Sequence, residues 1–358
     1  MDVIFAKIIL KEENRPITRR DLIKDGFDCE IFVNEVRFEN NMRLKKDNYI
    51  VYIFKQKLFN NLEEMFKGCS LLTSINLSNF NTNNSIYMNN MFDGCSSLKS
   101  INLSNFNTDT VTNMSHMFNN CKSLTSINLS NFNTNNVTNM SNMFKGCSTL
   151  KSLDLLIFNT NNVTNMTSIF DGCSSLSSLK IDNFNTNKVT NMSHMFSNCQ
   201  SLTEINISSF DTNNVIDMSN MFDGCSSIIS LKIDNFNTNN VTKMLGMFCG
   251  CKSLIIINLD NFNTNKVTNM SYLFKGCYSL ASINLSNFNT NNVNYMSSMF
   301  ENCYLLASLN IENFNCDNIK TTTTNQMNGM FKDCRSLKKE KVIYKDSKIN
   351  EQLLIDLK

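Results

Sequence analysis

The sequence predicts a solenoid of short parallel strands, on three observations. A cysteine returns every 26 residues from Cys69 to Cys303. The residues around it recur as one unit, typified by CKSLTSINLSNFNTNNVTNMSNMFKG at 121–146. Within that unit the apolar residues keep fixed columns. A fixed period of roughly 20–50 residues means that each repeat buries its apolar face only by stacking on its neighbours.

Residues 1–60 stand outside the repeat and read as a small α/β cap. Val3–Leu10, Cys29–Phe38 and Tyr49–Phe54 have strand character, Thr18 to Asp21 resembles a capping box, and Gly26 reads as a helix stop. Residues 61–337 hold about eleven repeats, and each is numbered here from its cysteine as column 1. Columns 7 and 9 are apolar between polar columns 6, 8 and 10, the alternation of a strand with one buried face. Columns 20, 23 and 24 are spaced i, i+3, i+4, as in one inward-facing helical turn. Column 26 holds Gly or Asn, and seven of the ten glycines stand there, so this column is expected to take a positive φ.

Leu or Ile at columns 4, 7 and 9 is the strand signature of leucine-rich repeats. The fold class is therefore α/β: a curved leucine-rich-repeat solenoid, with parallel short strands and one helical turn per repeat. Phe at columns 12 and 24 and Met at column 20 supply its core. Between Cys303 and Cys334 the interval lengthens to 31, with the insertion near Thr321–Thr324. Residues 338–358 form a charged C-terminal tail, expected to end as a short helix over the last coil.

Composition excludes more than it assigns. A net charge of +2 with 18% charged residues gives no basic surface for nucleic acid. No apolar run approaches about 18 residues, so no membrane-inserted helix is expected. Asp2 and Lys7 interrupt the first apolar stretch, which fails as a signal peptide and leads to a cytoplasmic expectation. Fourteen cysteines invite a disulfide or zinc reading, but Cys249 and Cys251 are the only close pair. The column reads instead as buried thiols that pack as small hydrophobes.

His116 and His194 are three periods apart and form no shared local site. Neither a catalytic triad, a phosphate-binding loop nor a zinc-protease motif occurs, and no catalytic residue, metal or cofactor is expected. Sequons such as Asn76-Leu77-Ser78, Asn136-Val137-Thr138 and Asn139-Met140-Ser141 recur too densely for glycans on stacked coils, which points the same way on location.

Candidate binding residues are the departures on the exposed strand columns. Lys180 with Asp182 and Lys232 with Asp234 share the variant LKIDNF, with Asp154 and Glu204 in neighbouring repeats. Leu156, Ile157 and Ile256 replace polar residues. Such a charged strip with apolar spots suits a protein partner on the concave face. The Thr of column 14 (Thr82, Thr108, Thr134, Thr160) raises a remote alternative, an ice-binding rank.

VTNMSHMF at 111–118 and 189–196, with GCSSL at 94–98 and 172–176, strongly resembles the repeats of BspA-like leucine-rich-repeat surface proteins. The resemblance covers Asn61–Leu337 and implies a leucine-rich-repeat solenoid without catalytic residues. Studied members are adhesins that bind host matrix proteins and other cells, which sets a cell-surface location against the cytoplasmic one. The functional expectation is a non-enzymatic module mediating protein–protein interaction or adhesion. An intracellular structural scaffold with no specific ligand is the alternative.

Overall fold

A computed structural model describes residues 2–8, 16–43, 48–54, 59–319 and 326–357. The chain forms a parallel-strand solenoid with very little helix. It divides into two compact units, one of residues 1–163 with 169–183 and the other of residues 164–168 with 184–358.

The first unit opens with the cap. Its strands are β1 (Asp2–Ile8), β2 (Pro16–Ile17), β3 (Cys29–Val33), β4 (Val36–Arg37), β5 (Met42–Arg43) and β6 (Tyr49–Phe54). Between β2 and β3 the expected helix is a single 3-10 turn, Arg19–Asp21. Asp21 Oδ2 accepts from the Thr18 N–H at 2.7 Å and from the Thr18 hydroxyl at 2.9 Å. The repeat strands β7 (Leu72–Asn76) and β8 (Ser100–Asn102) join the cap in one sheet of order β4-β3-β6-β1-β7-β8. β1 pairs antiparallel with β7, whereas β7 and β8 pair parallel, Ile75 opposite Ile101. The unit ends with β9 (Ser152–Asp154) and β10 (Ser178–Lys180), again parallel.

The second unit carries β11 (Ser230–Leu231), β12 (Ile256–Ile257), β13 (Ser282–Asn284) and β14 (Ser308–Asn310). β15 (Val342–Ile343) then pairs parallel with β14, and α1 (Ser347–Asp356) follows. The Thr321–Thr324 insertion lies outside the described residues.

Columns 20 to 26 correct the expectation of a helical turn. They are successive β-turns, because column 22 adopts a positive φ as well as column 26: Asn90 at 58°, His116 at 57°, Asn142 at 58°, Tyr272 at 62°. Each such residue is the third of a turn that needs φ > 0 there. The Met91 N–H closes one on the Met88 carbonyl, and the Cys95 N–H closes the next on Phe92. The intervening N–H groups leave the coil. Those of Met88, Asn90, Phe92 and Gly94 donate to Asn113, Ser115, Met117 and Asn119 of the following coil. A helix would return them to its own backbone.

Stacking also explains the choice at column 26. A Cβ on Gly146 would lie 2.7 Å from Asn120 Oδ1, and one on Gly224 would lie 2.7 Å from Asn198 Oδ1. The Asn120 and Asn198 side chains occupy the Cβ space of the next coil, where Gly146 and Gly224 follow them.

The core fills with ladders. Phe66, Phe92, Phe118, Phe144 and Phe170 stack in the first unit, with centroids 5.6–6.1 Å apart. Phe196, Phe222, Phe248, Phe274, Phe300 and Phe331 stack in the second at 5.5–6.0 Å. Beside them the column-1 thiols are buried, and most, from Cys95 to Cys334, donate to a phenylalanine carbonyl one coil back. Cys95 Sγ is 3.0 Å from the Phe66 oxygen, and Cys225 Sγ is 3.0 Å from that of Phe196. Burial pushes the Cys147 thiol up to about 12.

Candidate functional surface

Of two polar columns that read from sequence as solvated lining, one belongs to the interior and the other, though exposed, bonds between coils. The column-14 threonines are buried. The Thr82 hydroxyl donates to the Asn107 carbonyl at 2.9 Å and accepts the Asn107 N–H at 2.8 Å, and Thr212 does the same with Asn237. This overturns the ice-binding alternative, since these hydroxyls are spent between coils and present no rank to water. Asparagines of column 11 bridge coils as well, Asn131 Nδ2 donating to the Phe106 carbonyl at 2.9 Å and Asn235 Nδ2 to that of Phe210 at 2.9 Å. Other asparagines form Asx turns, as where Asn76 Oδ1 accepts the Ser78 N–H and Asn139 Oδ1 accepts that of Ser141.

Charges on the strand columns are partly consumed locally. Lys180 and Asp154 are opposite each other in the β9–β10 register, with Nζ 2.9 Å from Oδ2. That hydrogen bond holds the Asp154 carboxyl below its usual range and raises Lys180. Asp182 lies two residues on, exposed, in the same unit. Leu156 and Ile157 follow β9 and are 44% and 55% exposed.

In the second unit Lys232 is exposed, and Asp234 Oδ1 accepts from Asn258 Nδ2 at 2.8 Å. Glu204 is exposed in the preceding coil, in the column that Ser230 and Ile256 share. Ile256 is 66% exposed on β12. Lys180, Asp182, Asp154 and Leu156 therefore belong to the first unit, and Lys232, Asp234, Glu204 and Ile256 to the second.

The exposed aliphatic side chains of the second unit include residues that sequence reasoning missed. Ile229 and Ile255 occupy column 5 of successive coils, joined by an Ile255 N–H to Ile229 carbonyl bond of 3.0 Å. They are 52% and 51% exposed. Ala281 and Ala307 continue the column, linked by a 2.8 Å backbone bond. Column 2 beside it holds a stack in which Lys252 Nζ lies 5.6 Å from the centroid of Tyr278. The Tyr278 and Tyr304 rings are 4.7 Å apart, and the Arg335 guanidinium lies 4.7 Å from Tyr304. Each tyrosine thus has both ring faces covered. The signal was present down the column, in the change from Thr203 to Ile229, Ile255, Ala281 and Ala307, and not within any one repeat.

The model of one family, described as "Mycoplasma protein of unknown function, DUF285", matches residues 36–154, 60–178, 141–254 and 225–344. The chain belongs to the DUF285 family. No curated protein matches this DUF285 chain in sequence. It is similar to a leucine-rich repeat protein from Bacteroides ovatus, with 18% identity over 88% of this chain and 94% of that one and a TM-score of 0.37. It is also similar to the protein of a TLR13–ssRNA13 complex, with 17% identity over 78% of this chain and 41% of that one and a TM-score of 0.31.

The remaining chemistry of this DUF285 chain is structural. Among the described residues no group of three or more His, Cys, Asp and Glu could hold a metal ion, and no helix is long and apolar enough to cross a membrane. His116 and His194 are column-22 turn residues, each with Nε2 beside the next coil's asparagine amide, at 3.3 Å and 3.4 Å. Cys249 is half-buried, and burial, with Asp223 beside it, pushes its thiol up to about 12. A shallow groove of about 600 Å³ in the second unit runs along columns 16 and 18, between Lys188 and Lys266 and past Ile216. Its polar groups bond along the coil, Lys266 Nζ to Asn240 Oδ1 at 2.7 Å and Asn214 Nδ2 to the Asn187 carbonyl at 2.7 Å.

Proposed function

We propose that this chain is a non-enzymatic protein-binding module that engages its partner through side chains at and beside the repeat strands. One observation carries the reading. The buried columns are nearly uniform, whereas the departures on the strand side turn large aliphatic side chains outward, among them Leu156, Ile157, Ile229, Ile255 and Ile256. Exposed aliphatics with flanking charge are what a protein contact buries. Lys180, Asp182, Asp154 and Leu156 are the binding candidates of the first unit, and Lys232, Asp234, Glu204 and Ile256 those of the second.

A reducing, cytoplasmic setting belongs to the proposal. Thiol protons of the column-1 cysteines are used as hydrogen-bond donors to buried carbonyls. The finer alternative, a surface adhesin for host matrix proteins, is supported by the resemblance of the repeats to BspA-like proteins. Fractionation of native cells separates the two locations.

The binding reading is tested by cross-linking capture on the immobilised full chain, from cell lysate and from purified matrix proteins. Lys180→Glu, Lys232→Glu and Ile255→Asp variants run in parallel. A captured protein whose yield falls with at least one variant supports the reading. Capture that none of them changes assigns the contact elsewhere, and no saturable capture from either source refutes the reading.

A further inference from the structure

We infer that columns 2, 5 and 6 of the second unit form a docking strip for an acidic polypeptide segment that carries aliphatic or aromatic anchors. This inference rests on the protein-binding reading and names the partner's chemistry. The strip is bounded by the Lys252–Tyr278–Tyr304–Arg335 stack on one side and by Ile255 and Ile256 on the other.

Charge complementarity sets the sign of the occupant. Segments 226–230, 252–256, 278–282, 304–308 and 335–338 contain no Asp or Glu, and they contain Lys252, Arg335 and Lys338. The nearest carboxylate in these columns is Glu204, one coil before Ser230. A partner that buries Ile229, Ile255 and Leu305 here meets Lys252, Arg335 and Lys338, with Lys332 and Lys341 near the last of them, against Asp333 and Glu340, so cations outnumber anions at its rim. Acidic side chains are therefore attracted, and basic ones are repelled.

The apolar part sets the rest. Leu305 is 56% exposed in column 3, so aliphatic surface extends over three of these coils. At about 4.8 Å per coil, such a strip spans on the order of 15–20 Å, the length of a short extended segment. Tyrosine and arginine are the side chains that most often dominate binding when water is excluded around them. Here the stack pre-orders both, which lowers the entropy lost on docking.

A single-stranded nucleic acid is the competing occupant, since aromatic and cationic side chains also serve it. Base stacking needs an open ring face. Both faces of Tyr278 and of Tyr304 are taken, by Lys252 and Arg335 outside and by the other ring between. The neighbouring isoleucines offer a nucleic acid nothing, so a peptide is favoured.

The test pans a phage-displayed random peptide library on the immobilised full chain, then measures the enriched peptides by fluorescence anisotropy beside labelled oligo(U). The expected result is enrichment of Asp or Glu next to Ile, Leu or Phe. Ile255→Asp and Arg335→Glu are each expected to weaken the enriched peptide about tenfold or more, with melting unchanged because both side chains are exposed. Lys122→Glu, at an exposed column-2 position of the other unit, is expected to leave it unchanged. Basic or absent enrichment, tighter binding of oligo(U), or indifference to both substitutions overturns the inference. A protein captured from lysate equally by the wild type and an Ile255→Asp/Arg335→Glu double variant also overturns it, yet leaves the protein-binding reading standing. Loss of all protein capture by the wild type removes both.

Discussion

Replacing Phe222 by Ala tests the ladder that holds the second unit together. The ring is fully buried, 5.5 Å from Phe196 at 13° and 6.0 Å from Phe248 at 3°. Burying a Phe side chain contributes roughly 1.5–3 kcal/mol. Each stacked neighbour adds about 0.5–1.5 kcal/mol beyond area. The coils above and below are tied to their neighbours by backbone bonds, Phe222 N–H to the Met247 carbonyl and Phe248 N–H to that of Leu273, so they close the void only partly. Phe222→Ala is therefore expected to lose about 3–5 kcal/mol. Because a solenoid's stability is a sum of repeat and neighbour terms, the loss should appear first as faster amide exchange in the coils on either side. Urea unfolding followed by circular dichroism, with exchange read by mass spectrometry, measures both. Phe222→Leu keeps apolar volume without the ring and should fall between wild type and Ala. A loss within about 0.5 kcal/mol, as at an exposed site, refutes the stacked ladder.

Other expectations follow from the turns and the thiols. Gly250 has φ of 68°, and an added Cβ would stand 3.2 Å from the Gly224 nitrogen; Gly250→Ala is expected to lose more than the roughly 1–2 kcal/mol of a left-handed L-residue, read by urea midpoint. Burial lowers the His116 pKa, and Asn142 Nδ2 beside its Nε2 suits the neutral ring. The unfolded chain then binds the proton more readily, so this contribution is complete above about pH 6.5 and is lost as pH falls through the lower folded value. His116→Asn should flatten that part of the stability–pH profile, and an unchanged slope counts against it. Native chain at mildly alkaline pH should resist iodoacetamide at Cys121, Cys147 and Cys225, whose thiols burial raises, and should react at all of them in urea. Rapid native alkylation of Cys147 would show that the column opens.

The apolar columns were legible because a repeated side chain in a stacked coil has one physical use. Cys95, Phe106, Met114 and Phe118 are all buried, as their period implies. The polar ladders were not read, although Thr82 and Asn131 recur down most of their columns. A polar residue in a repeat has two uses, facing water or bonding the next coil, and alternation within one repeat does not separate them. The helical turn was misread for a related reason. Met at column 20 with Met and Phe at columns 23 and 24 satisfies the spacing of a helix face, but the mixture at column 22, with Gly246 beside Asn220 and His194, marks a positive φ that breaks it. Of the candidate surface, Ile256 and Lys232 were visible as departures from one repeat. Ile229, Ile255 and the tyrosine stack become visible only when residues are compared down a column, where a change of character persists over several coils.

The hydrogen-bond pattern bears on where a partner can bind. Each coil donates from columns 20, 22, 24 and 26 and accepts on the carbonyls between, so the first and last coils would leave a row of groups unpaired. The chain covers both. At the start, the Lys24 N–H donates to the Met65 carbonyl, the place that a preceding coil's column-24 amide would take, and β1 pairs with β7. At the end, Asp356 Oδ2 accepts the Phe331 N–H at 2.9 Å, Asp346 Oδ2 accepts that of Cys316 at 2.8 Å, and Lys348 Nζ donates to the Cys316 carbonyl at 2.8 Å. Charged side chains at these positions take backbone groups that a further coil would otherwise pair. Pairing of another chain's strand at these positions is therefore disfavoured. Lateral columns remain, and most of those are asparagine and serine whose side chains bond within or between coils. In the second unit the exposed aliphatic side chains include Ile343, Leu354 and Ile355 on β15 and α1 and, at the repeat strands, Ile229, Ile255 and Ile256, where column 5 has lost its polar residues.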